Sequence, residues 1–75
     1  MFREPVSSST IAAIGYDEET EMLQVEFVSG AVYRYRSVNQ DVFEDFRAAR
    51  SKGRFFNQHI KDAYPWDELV ARPSR

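Results

Sequence analysis

Two groups of side chains in this sequence have types and spacing that could do chemistry. The first is Tyr33-Arg34-Tyr35-Arg36. On a strand, residues two apart share a face, so the tyrosines point one way and the arginines the other. Tyrosines on an open sheet face could stack on unpaired bases, and arginines could hold phosphates. The competing reading packs the rings beneath a helix and lets only their hydroxyls reach the surface. The second group is Arg50, Lys52 and Arg54, set around Ser51 and Gly53. With backbone N–H groups at a helix start, these cations could hold a phosphate, and Ser51 could add a hydroxyl. The simpler reading makes Ser51 a helix cap and Gly53 the residue that permits a bend.

Other candidates are weaker. His59 is the single histidine, and no companion ligand or nucleophile stands near it in the sequence. Asp17, Glu18, Glu19 and Glu21 have no calcium-loop spacing and read as a solvated turn. No nucleophile–base pair, metal cluster or phosphate-binding glycine loop is visible, so no enzyme activity, metal, cofactor or small-molecule substrate is expected.

The elements that position these residues follow from periodicity. Ile11 to Tyr16 is a short apolar run bounded by turn residues and reads as a strand. Asp17 to Thr20 makes the next turn. In Glu21 to Val28, Leu23, Val25 and Phe27 alternate with Gln24 and Glu26, the clearest period of two in the chain. The following turn sets the face of the tyrosines. A two-residue loop at Ser29-Gly30 would place them with Gln24 and Glu26. A three-residue loop, Val28-Ser29-Gly30, pairs Phe27 with Ala31, Val25 with Tyr33 and Leu23 with Tyr35. That loop needs positive φ at its third residue, where glycine costs least. It also gathers Leu23, Val25, Phe27, Tyr33 and Tyr35 on one face, so it is the register chosen. The core reading of the tyrosines goes with it.

Ser37-Val38-Asn39-Gln40 has the form of a capping box with Ser37 as N-cap, and Asn39 is a rival cap. The helix runs to about Arg50, with Val42, Phe43, Phe46 and Ala49 on one stripe. Its acids crowd the first turns and Arg47 and Arg50 the end, which suits the helix dipole. Ser51-Lys52-Gly53 breaks it. A second helix is expected from Arg54 to about Asp62, carrying Phe55, Phe56 and Ile60, and Tyr64-Pro65 ends it. Phe55 and Phe56 are adjacent, so one of them must point sideways.

Seventy-five residues make one small domain, which buries roughly 60% of the surface its unfolded chain exposes. It has no cysteine, hence no disulfide or thiolate metal site. No apolar run approaches the roughly 20 residues of a membrane span, and no secretory h-region follows Met1. A cytoplasmic, soluble monomer is the default. The net charge is −2. Residues 1–30 hold six acids and one basic residue, whereas residues 31–61 hold seven basic residues and three acids. Any anionic partner would meet the second half.

In order, Ser8/Ser9, Ile14-Gly15-Tyr16-Asp17, Leu23-x-Val25-x-Phe27-x-Ser29-Gly30, Val32-Tyr33-x-Tyr35 and Ala49-x-Ser51-x-Gly53-x-Phe55-Phe56-Asn57, followed by Ile60 and Tyr64, resemble the KTSC domain. That family is named for its place at the C-terminus of some lysyl-tRNA synthetases and also occurs as a small bacterial protein. Its Tyr-x-Tyr hallmark matches Tyr33 and Tyr35. The family often has proline after the valine that opens the helix, and here Asn39 follows Val38. The resemblance implies a fold and a link to RNA, and it carries over no catalytic residues.

The resulting expectation is an α+β fold: a three-stranded antiparallel meander followed by two helices packed on one face. A single domain spans residues 6–64, and residues 65–75 form a partly disordered tail. Met1 to Val6 is expected to be a frayed arm. The protein is expected to be a non-catalytic binding module. One partner class is RNA, bound by Arg34, Arg36, Arg50, Lys52 and Arg54 with Tyr33 or Tyr35 stacking. The alternative is a protein, bound through a sheet edge or the aromatic segment around Tyr64 and Trp66.

Overall fold

The computed structural model describes residues 3–5 and 10–71 of the chain, the former by their backbone alone. Residues 1–2, 6–9 and 72–75, with the sequence expectations that fall on them, lie outside the described residues. The architecture is α+β. An antiparallel meander runs β1 (Arg3–Pro5), β2 (Ile11–Asp17), β3 (Met22–Phe27) and β4 (Val32–Tyr35). Helices α1 (Gln40–Ala48) and α2 (Lys52–Phe55) follow, α2 continuing as a π-helical turn over Phe56–Ile60. Strand β5 (Trp66–Val70) then returns to β4, giving a five-stranded sheet in the order β1-β2-β3-β4-β5. The three expected strands are β2 to β4. The two additional strands flank them, one from the segment read as an arm and one from the segment read as a tail.

The β3–β4 hairpin has the three-residue loop. The Phe27 N–H donates to the Ala31 carbonyl at 2.8 Å, and the Gly30 N–H donates to the Phe27 carbonyl at 2.9 Å. Gly30 has φ of +100°, which glycine adopts without steric cost. Val25 stands opposite Tyr33 and Leu23 opposite Tyr35. In β2, Ile11 and Ile14 are three apart, a spacing that a regular strand cannot put on one face. A bulge between Ile11 and Ala13 absorbs the odd residue, and both isoleucines are fully buried.

One face of the sheet carries the core. Ile11, Ile14, Leu23, Val25 and Tyr35 pack with Val38, Phe43, Phe46, Phe56 and Ile60. Helix α1 begins at Asn39, whose side chain accepts from the Asp41 N–H at 2.7 Å. Ser37 does not cap it. Its φ of +61° is left-handed, whereas an N-cap needs the extended geometry that Asn39 has. Val38, between them, donates its N–H to the Glu21 carbonyl and accepts from the Tyr16 hydroxyl at 2.5 Å. Ser51 caps α2, accepting from the Arg54 N–H at 3.3 Å, so that helix begins two residues before the expected Arg54. Gly53 lies inside α2, and Gly30 is the one described glycine with positive φ. The bend between the helices falls at Ala49, which is extended.

Two substitutions test this architecture. Phe46 is fully buried, so Phe46→Ala should cost about 3–5 kcal/mol in urea unfolding. An unchanged midpoint would show that this face of α1 is not the core. Gly30→Val forces a β-branched residue to positive φ and should cost about 1–3 kcal/mol. A fully stable Gly30→Val protein would exclude the three-residue loop.

Candidate functional site: an aromatic groove beside Tyr33 and Tyr35

The two tyrosines share a face but not a role. Tyr35 is 1% exposed and belongs to the core. Tyr33 is half-buried and packs at the core's margin. Because β5 pairs with β4, Trp66 is carried opposite Tyr35. The Trp66 ring lies over Tyr33, 5.2 Å between centroids and 10° from parallel. It remains 50% exposed. On the other side of Tyr33, Phe27 meets it edge-on at 5.5 Å.

The π turn supplies the opposite wall. Phe56 meets Phe27 edge-on at 5.3 Å and Tyr35 at 5.6 Å. A turn of this kind is a recurrent feature of functional sites. It puts Asn57 beside Phe56 and brings Lys61 and Asp62 to the rim. The result is an open groove of about 470 Å³ lined by Phe27, Tyr33, Tyr35, Phe56 and Trp66, with Ser29, Asn57, Lys61 and Asp62 as its polar groups. Flat rings with a few polar groups along one side suit a planar, partly polar ligand.

The basic residues fall into two separate sets. Arg34 pairs with Gln24 and Asp67 across the sheet, on the face away from the helices. Asp67 Oδ2 lies 3.6 Å from Arg34 Nη2 and 3.5 Å from Arg36 Nε. Such exposed pairs add little stability, but they offset the charge that an anion would feel. Arg50, Lys52 and Arg54 lie in the helix layer. The Lys52 ammonium donates to the Ala49 carbonyl at 2.5 Å, closing the end of α1. A Cβ on Gly53 would lie 3.5 Å from the Thr10 hydroxyl, and Thr10 accepts from Val28 at the hairpin end of the sheet. Arg34 and Arg36 stand near the other end, where Leu23 faces Tyr35. The structure therefore does not bring Arg34 and Arg36 together with Arg50, Lys52 and Arg54.

His59 is exposed and packs on the Phe55 ring at 4.6 Å, tilted by 42°. Phe55 in turn stacks on Phe46 at 5.4 Å, so it is the sideways member of its pair. The groove was not visible in the sequence because Phe27, Phe56 and Trp66 meet only through long-range packing. Tyr33 and Tyr35 were its one legible part.

A family model, the KTSC domain, matches residues 7–64. This chain belongs to the KTSC domain family. An uncharacterized protein of Stutzerimonas stutzeri is 46% identical to it over 61 residues, covering 81% of this chain and 86% of the relative. A lysine–tRNA ligase of Nostoc punctiforme is 41% identical over 61 residues, a match that spans 81% of this chain and 11% of the ligase. The crystal structure of a KTSC domain protein from Yersinia pestis superposes with a TM-score of 0.86 at 40% identity, covering 91% of this chain and 96% of that one. The KTSC fold thus occurs both as a small protein and within a much longer one.

The environment of the KTSC tyrosines gives a pH signature. Burial pushes the Tyr35 hydroxyl far above the usual tyrosine range, with smaller contributions from the charges of Tyr33 and Asp62. Burial also raises Tyr16, and Glu21, Glu18 and Asp17 add to it. Above about pH 10 the unfolded tyrosines lose their protons while the folded ones keep theirs. The folded state then binds more protons, and stability falls as pH rises. Urea unfolding between about pH 9 and 11 should show this loss. It should be smaller in a Tyr16→Phe/Tyr35→Phe protein, and an equal loss there would assign it elsewhere.

Proposed function

We propose that this KTSC domain is a non-catalytic module that receives an unpaired base of single-stranded RNA in the aromatic groove. The observation that carries the reading is the half-exposed Trp66 stacked on Tyr33 at the groove mouth. Base–aromatic stacking needs an exposed ring held rigidly from behind, and Tyr33 holds Trp66 in that way. Lys61 at the rim offers a cation for the adjoining phosphate. The occurrence of the domain within lysine–tRNA ligases, proteins named for acting on a tRNA, supports RNA as the partner.

The reading differs from a broad basic interface. It predicts a shallow salt dependence, a log–log slope of about −0.7 for each phosphate held, with few phosphates contacted. Fluorescence of the single tryptophan should be quenched on titration with single-stranded RNA at low salt. Trp66→Ala should weaken binding of labelled RNA by roughly tenfold or more, with a small change in thermal stability. Arg50→Ala/Arg54→Ala should bind as the parent does. Loss of binding in the arginine variant with full binding in Trp66→Ala would move the site to the helix layer. Absence of any binding would remove RNA.

A second reading rests on β5. Among the described residues it pairs with β4 alone, and Leu69 and Val70 on it are exposed. An edge of this kind can add a strand from a protein partner. A complex that survives nuclease and high salt, and that Leu69→Lys disrupts, would favour it.

A further inference from the structure

The polar side of the groove has a directional chemistry. Asn57, Lys61 and Asp62 all line it. Asn57, Lys61 and Asp62 are exposed, and among the described residues Lys61 and Asp62 enter no ion pair and the Asn57 side chain makes no hydrogen bond. Asp62 is the one carboxylate of the groove. A carboxylate only accepts, and it offers two oxygens side by side.

Bases differ in what they present to such a group. Guanine has two adjacent donors, N1–H and the N2 amino group, which match two carboxylate oxygens. Cytosine and adenine each offer an amino group beside a ring nitrogen that accepts. Uracil offers one N–H between two carbonyl oxygens, which a carboxylate repels. Single-stranded RNA is recognised through these Watson–Crick edges.

The geometry points to guanine as the base held in this groove, with Asp62 as the residue that selects it and turns uracil away. The inference rests on the base-binding reading above and adds to it the identity of the base. Trp66 and Tyr33 supply stacking that any base can use, whereas Asp62 supplies the discrimination. Lys61, its neighbour in the chain, takes the phosphate, so the acid can face the base without repelling the strand. The effect of the Asp62 charge on the Tyr35 hydroxyl agrees with a carboxylate close to the groove floor.

The test uses the full chain and four pentaribonucleotides, UUXUU, with X as G, A, C or U. The native protein should bind UUGUU about tenfold or more tighter than UUUUU, the scale of one good bidentate contact. Asp62→Asn replaces one acceptor with a donor, so it should lose most of this preference and gain affinity for UUUUU. Asp62 is exposed, and an unchanged melting temperature would confirm that the variant is folded. Equal binding of all four oligonucleotides, with binding still dependent on Trp66, would overturn guanine selection and leave base stacking intact. A full guanine preference in Asp62→Asn would overturn the role of Asp62. Absence of binding by every oligonucleotide would overturn both readings. A parallel titration with guanosine monophosphate distinguishes a free nucleotide from a strand. Binding as tight as UUGUU assigns the site to the nucleotide, and either result keeps the guanine selectivity.

Discussion

The positive φ of Gly30 is the constraint on which the rest of the structure depends. It allows the three-residue loop between β3 and β4, and the loop fixes which residues stand opposite one another. A shift of one residue would turn every side chain of β4 to the other face. Tyr35 would then leave the core, Tyr33 would lose both Phe27 and Trp66, and Arg34 would face the helices. The alternation of Leu23, Val25 and Phe27 supports the same register, because only there do both strands present apolar side chains to one layer.

Apart from the Phe46–Phe55–His59 stack in the helix layer, the aromatic side chains form two clusters around that register. One is Tyr16 stacked on Phe43 at 4.8 Å, joined to the start of α1 by the bond from Tyr16 to Val38. The other runs from Trp66 through Tyr33, Phe27 and Phe56 to Tyr35. Such ring pairs contribute about 0.5–1.5 kcal/mol each beyond the area they bury. In a domain this small that is a substantial share of total stability. In the second cluster Tyr35 and Phe56 belong to the core, Phe27 and Tyr33 pack against it, and all four also line the groove with the half-exposed Trp66. Residues that hold the fold together therefore also shape the surface that a ligand would meet.

Charge is arranged with the same economy. Asp67 sits between Arg34 and Arg36, joining the end of β4 to β5. Lys52 is turned back onto the end of α1. Basic residues that look concentrated in the second half of the chain are divided between the outer sheet face and the helix layer. Lys61 remains as the cation at the groove. A chain of net charge −2 with a single cation lining its aromatic groove exerts little long-range attraction on an anion there.

Short-range patterns carried much of this fold. The alternation in β3, the Ser-Gly loop, the apolar stripe of α1 and the cap at Ser51 are legible from neighbouring residues, because each depends on a local period or a single backbone angle. They were enough to place Tyr33 and Tyr35 on the helix-covered face and to suggest the KTSC family. Other features were decided by contacts between distant segments. Trp66 to Val70 follows a proline and has no clean alternation, yet it forms β5 because β4 offers an unpaired edge. Arg3 to Pro5 joins β2 in the same way. Ser37 and Asn39 are both plausible caps by type, and the left-handed turn at Ser37 decided between them. The π turn that aligns Phe56, Asn57, Lys61 and Asp62 has no sequence period to announce it. Sequence alone determined which face of the hairpin is apolar. Only the tertiary structure decided which rings meet there and that a groove is left between them, because ring stacking and edge pairing depend on where distant backbone segments end.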